Sequence, residues 1–393
     1  MNLQQLELEL KQWRHYLHAN PESAFEEANT ANFVAEKLTE MGIEVHRNIG
    51  KTGVVGILKC GDSDEVIALR ADMDCIQLTE KNDFDYASKT SNRMHACGHD
   101  GHTTMLLGAA KLLAERKNFN GTVCFLFQPS EEPGLGAKAM IDDGVIERFN
   151  IQEIYGVHNM PGIKQGTIAT RVGGIMGSED NFVIRIKGFG SHASRPHQAK
   201  DPLVIAAEII LALQTIVSRN IDPAVPIVIS CTELETDGIR NAIPSNVVIK
   251  GDTRSYDPKA QQLIETRMRT LCEHICAMND AECEFEYSYE FAPTVNWAKC
   301  VDIAVQAAKN AVGENLVDAN VTAMMASEDF GTFLQKIPGC FLFLGNGTQE
   351  DNKGHIPLHN ALYDFNDDIL LTGVTFFAEL IQFRLPIQGK CRL

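Results

Sequence analysis

Positive charge is scarce in this chain. Its 393 residues include 35 Lys and Arg against 52 Asp and Glu, which gives a formal net charge of −17. A protein that binds nucleic acid through phosphate contacts needs a basic surface, so this composition argues against a nucleic-acid partner. The acidity favours solubility and does not by itself identify a substrate.

The sequence also lacks the marks of a secreted or membrane protein. Its 11 cysteines form no regular framework, and the N-terminus shows no positively charged start followed by an apolar segment. No apolar run approaches the roughly 20 residues that a membrane-spanning helix needs. We therefore expect free thiols, a cytoplasmic location and no membrane partner.

Enough apolar residues are present for a sizeable core, at 44% of the chain. Helix and strand patterns alternate in the first part, which predicts an α/β domain with a mixed sheet flanked by helices. Between residues 178 and 293 the order becomes β-α-β-β-α-β, typical of a ferredoxin-like α+β unit. The first pattern then resumes, so we predict a discontinuous domain, 1–177 and 294–393, with 178–293 inserted.

Residues 95–104, HACGHDGHTT, concentrate side chains that can bind a metal. Cys97, His99 and His102 could be direct ligands, and Asp100 a ligand or an orienting group. An amphipathic run follows, which places the cluster at a loop-to-helix junction. A thiolate close to an imidazole suits zinc, cobalt, nickel or manganese. The alternative is a His-rich surface loop beside a buried cysteine.

Further candidates follow three predicted strands. Asp72 and Asp74 come after one, Glu131 and Glu132 after another, and His158 ends a third. The carboxyl ends of strands are where open α/β sheets build their sites. Adjacent carboxylates at the end of a buried strand are costly unless positive charge is near, and a metal would supply it. Each feature alone could be an ordinary turn, but their recurrence favours a metal site.

Several motifs, in order, resemble the di-metal amidohydrolase and exopeptidase family of aminoacylases, hippurate hydrolases and carboxypeptidase G-like enzymes. The likeness runs nearly end to end, and Cys97 makes the hippurate hydrolase and N-acyl-amino-acid amidohydrolase branch the most similar, since other branches use Asp there. The motifs lie at residues 14–22, 69–74, 94–102, 128–132, 158–161, 188–196, 325–330 and 359–365.

The resemblance implies roles for particular residues. Two divalent ions (Mn, Ni, Co or Zn) would be held by Cys97, His99, Glu132, His158 and His359. His355 is the competing choice for the last ligand, but the following Asn360 matches the family only for His359.

The same resemblance makes Glu131 the general base. It makes the inserted domain a lid, from which His192 reaches the substrate carbonyl, often across a dimer. Asn241 and Arg254 would contact the substrate carboxylate. We therefore expect a homodimer, or a higher homo-oligomer, formed through the lid.

The implied activity is hydrolysis of N-acyl-L-amino acids, hippurate-like or N-acetyl, to a carboxylate and a free amino acid. A dipeptidase or exopeptidase, or an N-carbamoyl amino acid hydrolase, remains the alternative within enzymes. A non-catalytic metal- or peptide-binding protein is the alternative from another class. Glu131 beside a full ligand set argues against that reading, because a binding module has no need of a base.

Overall fold

The computed structural model describes residues 3–351 and 353–387. They divide into two compact units. Unit 1 comprises the chain up to Ile175, Val295–Thr322 and the chain from Asp329 onward, and unit 2 comprises Met176–Thr294 and Ala323–Glu328. Our predicted boundaries placed 323–328 in the first domain. This segment joins unit 2 because the Gly177 N–H donates to the Ala326 carbonyl at 2.9 Å.

The described residues form ten α-helices and sixteen strands. The helices are α1 (Leu3–Ala19), α2 (Ala28–Glu40), α3 (His99–Arg116), α4 (Gly136–Asp142), α5 (Val145–Arg148), α6 (Pro202–Thr215), α7 (Pro258–Met278), α8 (Ala298–Val312), α9 (Phe330–Leu334) and α10 (Leu370–Arg384). The strands are β1 (Glu44–Ile49), β2 (Gly53–Cys60), β3 (Val66–Asp72), β4 (Gly121–Gln128), β5 (Glu153–Pro161), β6 (Ile168–Ala169), β7 (Gly173–Met176), β8 (Glu179–Lys187), β9 (Ser191–His192), β10 (Ile227–Thr236), β11 (Ala242–Ile243), β12 (Asn246–Ser255), β13 (Glu282–Phe291), β14 (Thr294–Asn296), β15 (Val317–Asp318) and β16 (Gly339–Gly347).

Unit 1 is built on a mixed sheet with strand order β1-β2-β4-β3-β5-β16-β6-β15. Its central strands β4, β3, β5 and β16 run parallel. They are buried almost throughout, which explains their continuous apolar sequences, since helices cover both faces of such a sheet. Parallel strands end at the same edge, so the segments that follow β3, β4 and β5 meet there. The predicted α/β class with a mixed sheet is confirmed.

The central helix of unit 1 is α3, which is buried along most of its length. It approaches its neighbours closely at Gly108. A Cβ there would lie 2.5 Å from Val374 Cγ2 on α10 and 2.7 Å from Leu10 Cδ2 on α1. This packing fixes the start of α3, where the His99 side chain lies, beside the sheet edge.

Unit 2 contains a four-stranded antiparallel sheet of order β10-β12-β8-β13. Phe182, Ile184 and Ile186 alternate into its core against α6 and α7. Asp201 caps α6 by accepting from the Leu203 and Val204 N–H groups, and Asp257 caps α7. The elements follow the predicted β-α-β-β-α-β order; a lid role for this unit stays a prediction.

Helix α6 continues into a π-helical turn, and the stretch Pro202–Asn220, of 19 residues, is long and apolar enough to span a membrane by length and composition, although the sequence led us to expect no such run. Ile209 and Leu213 on it are buried in the core of unit 2, and 33% of its apolar stretch is buried. Helix α9 begins at Phe330, and the Ser327 hydroxyl, which precedes it, donates to Glu179 at 2.6 Å.

Candidate metal and catalytic site

The turn before α3 depends on a glycine. Gly98 has φ of 92°, a left-handed conformation that favours glycine. A Cβ at this position would lie 2.2 Å from Asn159 Oδ1. Cys97 and His99, on either side of this turn, therefore approach the end of β5 closely.

The structure brings together all five residues that the resemblance named as ligands. Their donor atoms fall into overlapping groups, each within 4.8 Å: Cys97, His99 and His158; Cys97, Glu132 and His359; and His99, Glu131 and Glu132. Cys97, His99 and Glu132 belong to two of these groups each, so the groups are contiguous. This arrangement of donors could hold divalent cations.

Hydrogen bonds fix which nitrogen of each buried histidine faces the cluster. His99 Nδ1 lies 2.9 Å from the Asp74 carbonyl oxygen, and His158 Nδ1 lies 2.6 Å from the Asn159 carbonyl oxygen. A carbonyl only accepts, so each Nδ1 carries a proton, and in the neutral ring that binds a metal each Nε2 presents a lone pair. Metal-binding histidines are oriented in this way.

Unpaired buried atoms point to a cation. Neither His99 Nε2 nor Glu132 Oε1 has a hydrogen-bond partner among the described residues, and the two atoms are 4.0 Å apart. Buried polar atoms without partners are rare and costly. A divalent ion would satisfy both, so the donor set fits the metal that the sequence predicted.

The electrostatics agree with this assignment. Burial, followed by the charge of Glu132, raises the pKa of the Cys97 thiol to about 12, so a thiolate at neutral pH requires a nearby cation. Burial acts to raise the pKa of Glu132, but the hydrogen bond to His359 and the charge that His99 carries when no metal is bound outweigh it and lower that pKa. Glu132 is therefore an anion at neutral pH.

Hydrogen bonds to their backbone N–H groups orient the two adjacent glutamates, Glu131 and Glu132. Asp74 Oδ1 accepts from the Glu131 N–H at 3.0 Å, and Asp74 Oδ2 accepts from the Glu132 N–H at 3.1 Å. Glu131 Oε2 lies 3.8 Å from His99 Nε2, and Glu132 Oε2 lies 3.5 Å from His359 Nε2. One carboxylate can thus bind metal while its neighbour accepts a proton.

His102, a possible ligand from its motif, is engaged at both ring nitrogens. Nδ1 lies 2.6 Å from Asp72 Oδ1, and Nε2 lies 2.8 Å from Asn159 Oδ1. The ring packs against that of His158, with centroids 4.5 Å apart. Asp72 in turn accepts from Arg70 Nη1 at 2.7 Å. These contacts favour an orienting role for His102 and Asp72 behind the cluster.

Asp100 turns away from the cluster toward α1. Its Oδ2 lies 2.8 Å from His18 Nδ1 and 3.6 Å from Arg14 Nη1, and all three side chains are buried. His18 Nε2 lies 3.1 Å from Glu80 Oε1. The motif at 14–22 carried no assigned role in the sequence. The signal that could have revealed this network is the position of Arg14 and His18 on the buried face of α1.

His355 and His359, the two candidates for the last ligand, differ in their surroundings. His359 has φ of 60°, and its N–H donates to the Ala96 carbonyl at 2.8 Å, directly before Cys97. Among the described residues His355 belongs to no group of candidate ligands.

The remaining predicted site residues lie in unit 2. His192, exposed on β9, accepts from the Ser194 N–H through Nδ1 at 3.1 Å. The Asn241 carbonyl accepts from the Ala193 N–H at 3.0 Å, next to the pairing of β9 with β11. On β12, Arg254 makes ion pairs of 3.0 Å with Glu179 and with Asp252. His192 and Asn241 are therefore neighbours.

Comparison with known proteins places the chain in a family. Residues 68–382 match the model of peptidase family M20/M25/M40. The chain is 43% identical to a hippurate hydrolase of Campylobacter jejuni over 95% of its own length and 96% of the relative's. It is 36% identical to thermostable carboxypeptidase 2 of Saccharolobus solfataricus, over 95% of both chains.

A solved structure agrees with these relatives. A dinuclear metal-binding peptidase of the M20 family from Bacillus subtilis superposes with a TM-score of 0.84 at 31% identity, covering 96% of this chain and 98% of that one. The chain therefore belongs to peptidase family M20/M25/M40 and is, as the sequence predicted, a metal-dependent hydrolase of amide bonds.

Proposed function

We propose that the protein hydrolyses N-acyl-L-amino acids, using two divalent ions held by Cys97, His99, Glu132, His158 and His359. The observation that carries the proposal is the position of Glu131 beside that donor set, 3.8 Å from His99 Nε2. Divalent ions in such a site polarise an amide carbonyl and lower the pKa of water. Manganese, nickel, cobalt and zinc all suit these ligands.

Glu131 acts as general base in this proposal. Its carboxylate accepts a proton from the attacking water and delivers it to the leaving amide nitrogen, so the products are a carboxylate and a free amino acid. Asp74 supports that transfer by holding the Glu131 N–H at 3.0 Å. A positioned acid–base group contributes about 10²–10⁴-fold to the rate.

Unit 2 supplies the substrate contacts in this proposal. His192 stabilises the oxyanion that forms at the amide carbonyl, and Asn241 and Arg254 bind the carboxylate of the amino acid. Exposure of His192 on the short β9–β11 ribbon supports such a role. We further propose that unit 2 is a lid, that the protein is a homodimer or higher homo-oligomer formed through it, and that the protein is cytoplasmic.

The acyl preference follows from similarity to a hippurate hydrolase over nearly the whole chain. An exopeptidase is the second candidate, because the similarity to a thermostable carboxypeptidase is almost as extensive. Apolar fit in a pocket is worth only about 1–3 kcal/mol, so specificity must be measured directly.

The test is amino-acid release from hippurate, N-acetyl amino acids, N-carbamoyl amino acids and dipeptides, with a chelator or with each added metal. Metal-dependent release from hippurate or N-acetyl amino acids supports the proposal, and release from dipeptides alone replaces it with the exopeptidase. No turnover from protein that binds two ions would reject both.

Variants test the residue roles in the same assay. Glu131→Gln should keep the metal content and lose activity, whereas Glu132→Gln should lose metal. The opposite pattern would exchange the two roles. His192→Ala should lower the rate about 10²–10³-fold without loss of metal, and near-normal turnover would reject its role.

A further inference from the structure

Two carboxylates lie near the start of α2, and only one of them caps the helix. Glu22 Oε1 accepts from the Asn29 N–H at 3.1 Å, and Glu22 Oε2 accepts from the Thr30 N–H at 2.8 Å. Glu27 occupies the N-cap position itself but makes no side-chain capping hydrogen bond. A residue at this position usually bonds to its own helix, so the carboxylate of Glu27 is directed elsewhere.

Glu27 reaches the segment that follows β4. Its Oε1 accepts from the Ser130 N–H and from the Phe25 N–H, both at 2.9 Å, and its Oε2 accepts from the Thr52 hydroxyl at 2.5 Å. The residue is fully buried, and that burial raises its pKa to about 7. A carboxyl group buried at this cost needs specific partners, and one of them is the residue directly before Glu131.

Ser130 has a strained backbone. Its φ is 53°, in the left-handed region that non-glycine residues enter at a cost of order 1 kcal/mol or more. Its hydroxyl is buried without a hydrogen-bond partner among the described residues, so its own side chain does not hold this conformation. Hydrogen bonds of its main chain hold the conformation instead. The Ser130 carbonyl accepts from the Gly136 N–H at 2.9 Å, and the Ser130 N–H donates to Glu27.

Three consecutive N–H groups are thus fixed by two buried carboxylates. Glu27 holds that of Ser130, and Asp74 holds those of Glu131 and Glu132. Asp74 also contacts one of the candidate metal ligands, because its backbone carbonyl accepts from His99 Nδ1 and orients that ring. No hydrogen bond or ion pair of the described residues joins Glu27 to any of the five candidate ligands, and its hydrogen-bonded connection to the site is the Ser130 N–H.

We propose that Glu27 is a positioning residue that holds the Ser130 turn and thereby aims Glu131 and Glu132. This inference rests on the proposed function, in which Glu131 is the base and Glu132 a metal ligand. Displacements of about 1 Å at a catalytic group can cost about 10²-fold in rate, so loss of this anchor should be visible in turnover.

The test compares variants at the two carboxylates of α2. Glu27→Ala should lower kcat about 10–100-fold while KM changes little, because the substrate contacts are untouched. Glu27→Gln keeps Oε1 as the acceptor for both N–H groups, and its amide can donate to the Thr52 hydroxyl, so it should restore kcat to within a few-fold of the wild type. The matched control is Glu22→Ala, which removes the helix cap and should lower the unfolding temperature without lowering kcat.

Manganese titration of the metal-free proteins supplies a readout that does not depend on turnover. In Glu27→Ala, displacement of Glu132 should weaken one of two binding events, whereas Glu27→Gln and Glu22→Ala should bind as the wild type does. Adding Ser130→Gly to Glu27→Ala should recover part of both kcat and affinity, because glycine adopts a positive φ without strain.

Normal kcat and manganese binding in Glu27→Ala would overturn the inference. So would Glu27→Gln as impaired as Glu27→Ala, since that result would make the charge and not the anchor important. If Glu27→Ala does not fold, Glu27→Asp takes its place: the shorter side chain should lower kcat in folded protein, and unchanged kcat would refute the role. If the wild type hydrolyses no substrate, the proposed function fails, and the manganese titration alone decides the role of Glu27.

Discussion

Buried His18 should make the stability of the protein depend on pH between 7 and 9. Burial acts to lower the pKa of His18, but the charge and hydrogen bond of Asp100 and the hydrogen bond of Glu80 outweigh it and raise the pKa from 6.5 to about 9. The folded state therefore binds a proton more tightly than the unfolded state does. The stabilisation is fully present below pH 6.5 and is lost as pH rises through 9.

The size of the effect follows from linkage. A rise in pKa from 6.5 to about 9 corresponds to about 3 kcal/mol at low pH, of which about 2 kcal/mol should disappear between pH 7 and pH 9. The pKa values of His99 and His359 are also raised, so these groups act in the same window, but the wild type and the His18 variant share them. Other shifted groups act elsewhere. Burial raises the pKa of Glu27 to about 7, so its contribution is lost as pH rises from about 4.5 to 7. Burial raises the pKa of the Cys75 thiol to about 12, so its effect appears above pH 9.

The assay is urea unfolding of the wild type and of His18→Gln at pH 7 and pH 9. The variant should be less stable by about 2–3 kcal/mol at pH 7 and by under about 1 kcal/mol at pH 9. Taking the difference between the two proteins cancels the pH dependence of metal binding, which they share. His274→Gln, an exposed site on α7, is the control and should follow the wild type. An equal pH dependence in wild type and His18→Gln would refute the reasoning.

Three further predictions concern unit 1. Arg70→Met leaves Asp72 and Asp329 without the guanidinium that pairs with them at 2.7 and 3.0 Å; chemical denaturation should show a loss of about 3–5 kcal/mol. Gly101→Ala places a Cβ 2.2 Å from Phe365 Cε2 and should cost about 1–3 kcal/mol in the same assay. Chelation should lower the unfolding temperature, and a smaller shift is expected for Glu132→Gln in calorimetry.

Much of the fold was predictable because its elements carry local signals. Strands β3, β4, β5 and β16 are buried on both faces, so their sequences are continuous apolar runs. The residues that cap α6 and α7 can also be recognised in the sequence. Strand β1 was not predicted: its residues are mostly exposed or half-buried, and only pairing with β2 defines it. The place of residues 323–328 in unit 2 likewise depends on distant contacts.

The candidate site likewise contains residues that the sequence could predict and residues that it could not. The side chains proposed to bind metal stand in compact motifs at strand ends, so their chemistry is readable from the chain. The residues that orient these side chains cannot be identified from the sequence in this way. Glu27 and Ser130 are 103 positions apart, and His18 and Asp100 are 82 apart. Neither pairing has a sequence signature, because each depends on where two separate segments pack.

The position of β16 bears on how the protein is made. This strand is the last of the sixteen in chain order, yet it pairs with β5 near the centre of the sheet. During synthesis, β5 must present an unpaired apolar edge until residues 339–347 have left the ribosome, and such edges favour aggregation. The segment of unit 2 from Met176 to Thr294 emerges earlier. Unit 1 therefore stays incomplete until after this segment of unit 2 has emerged, and His359 joins the site later than β16.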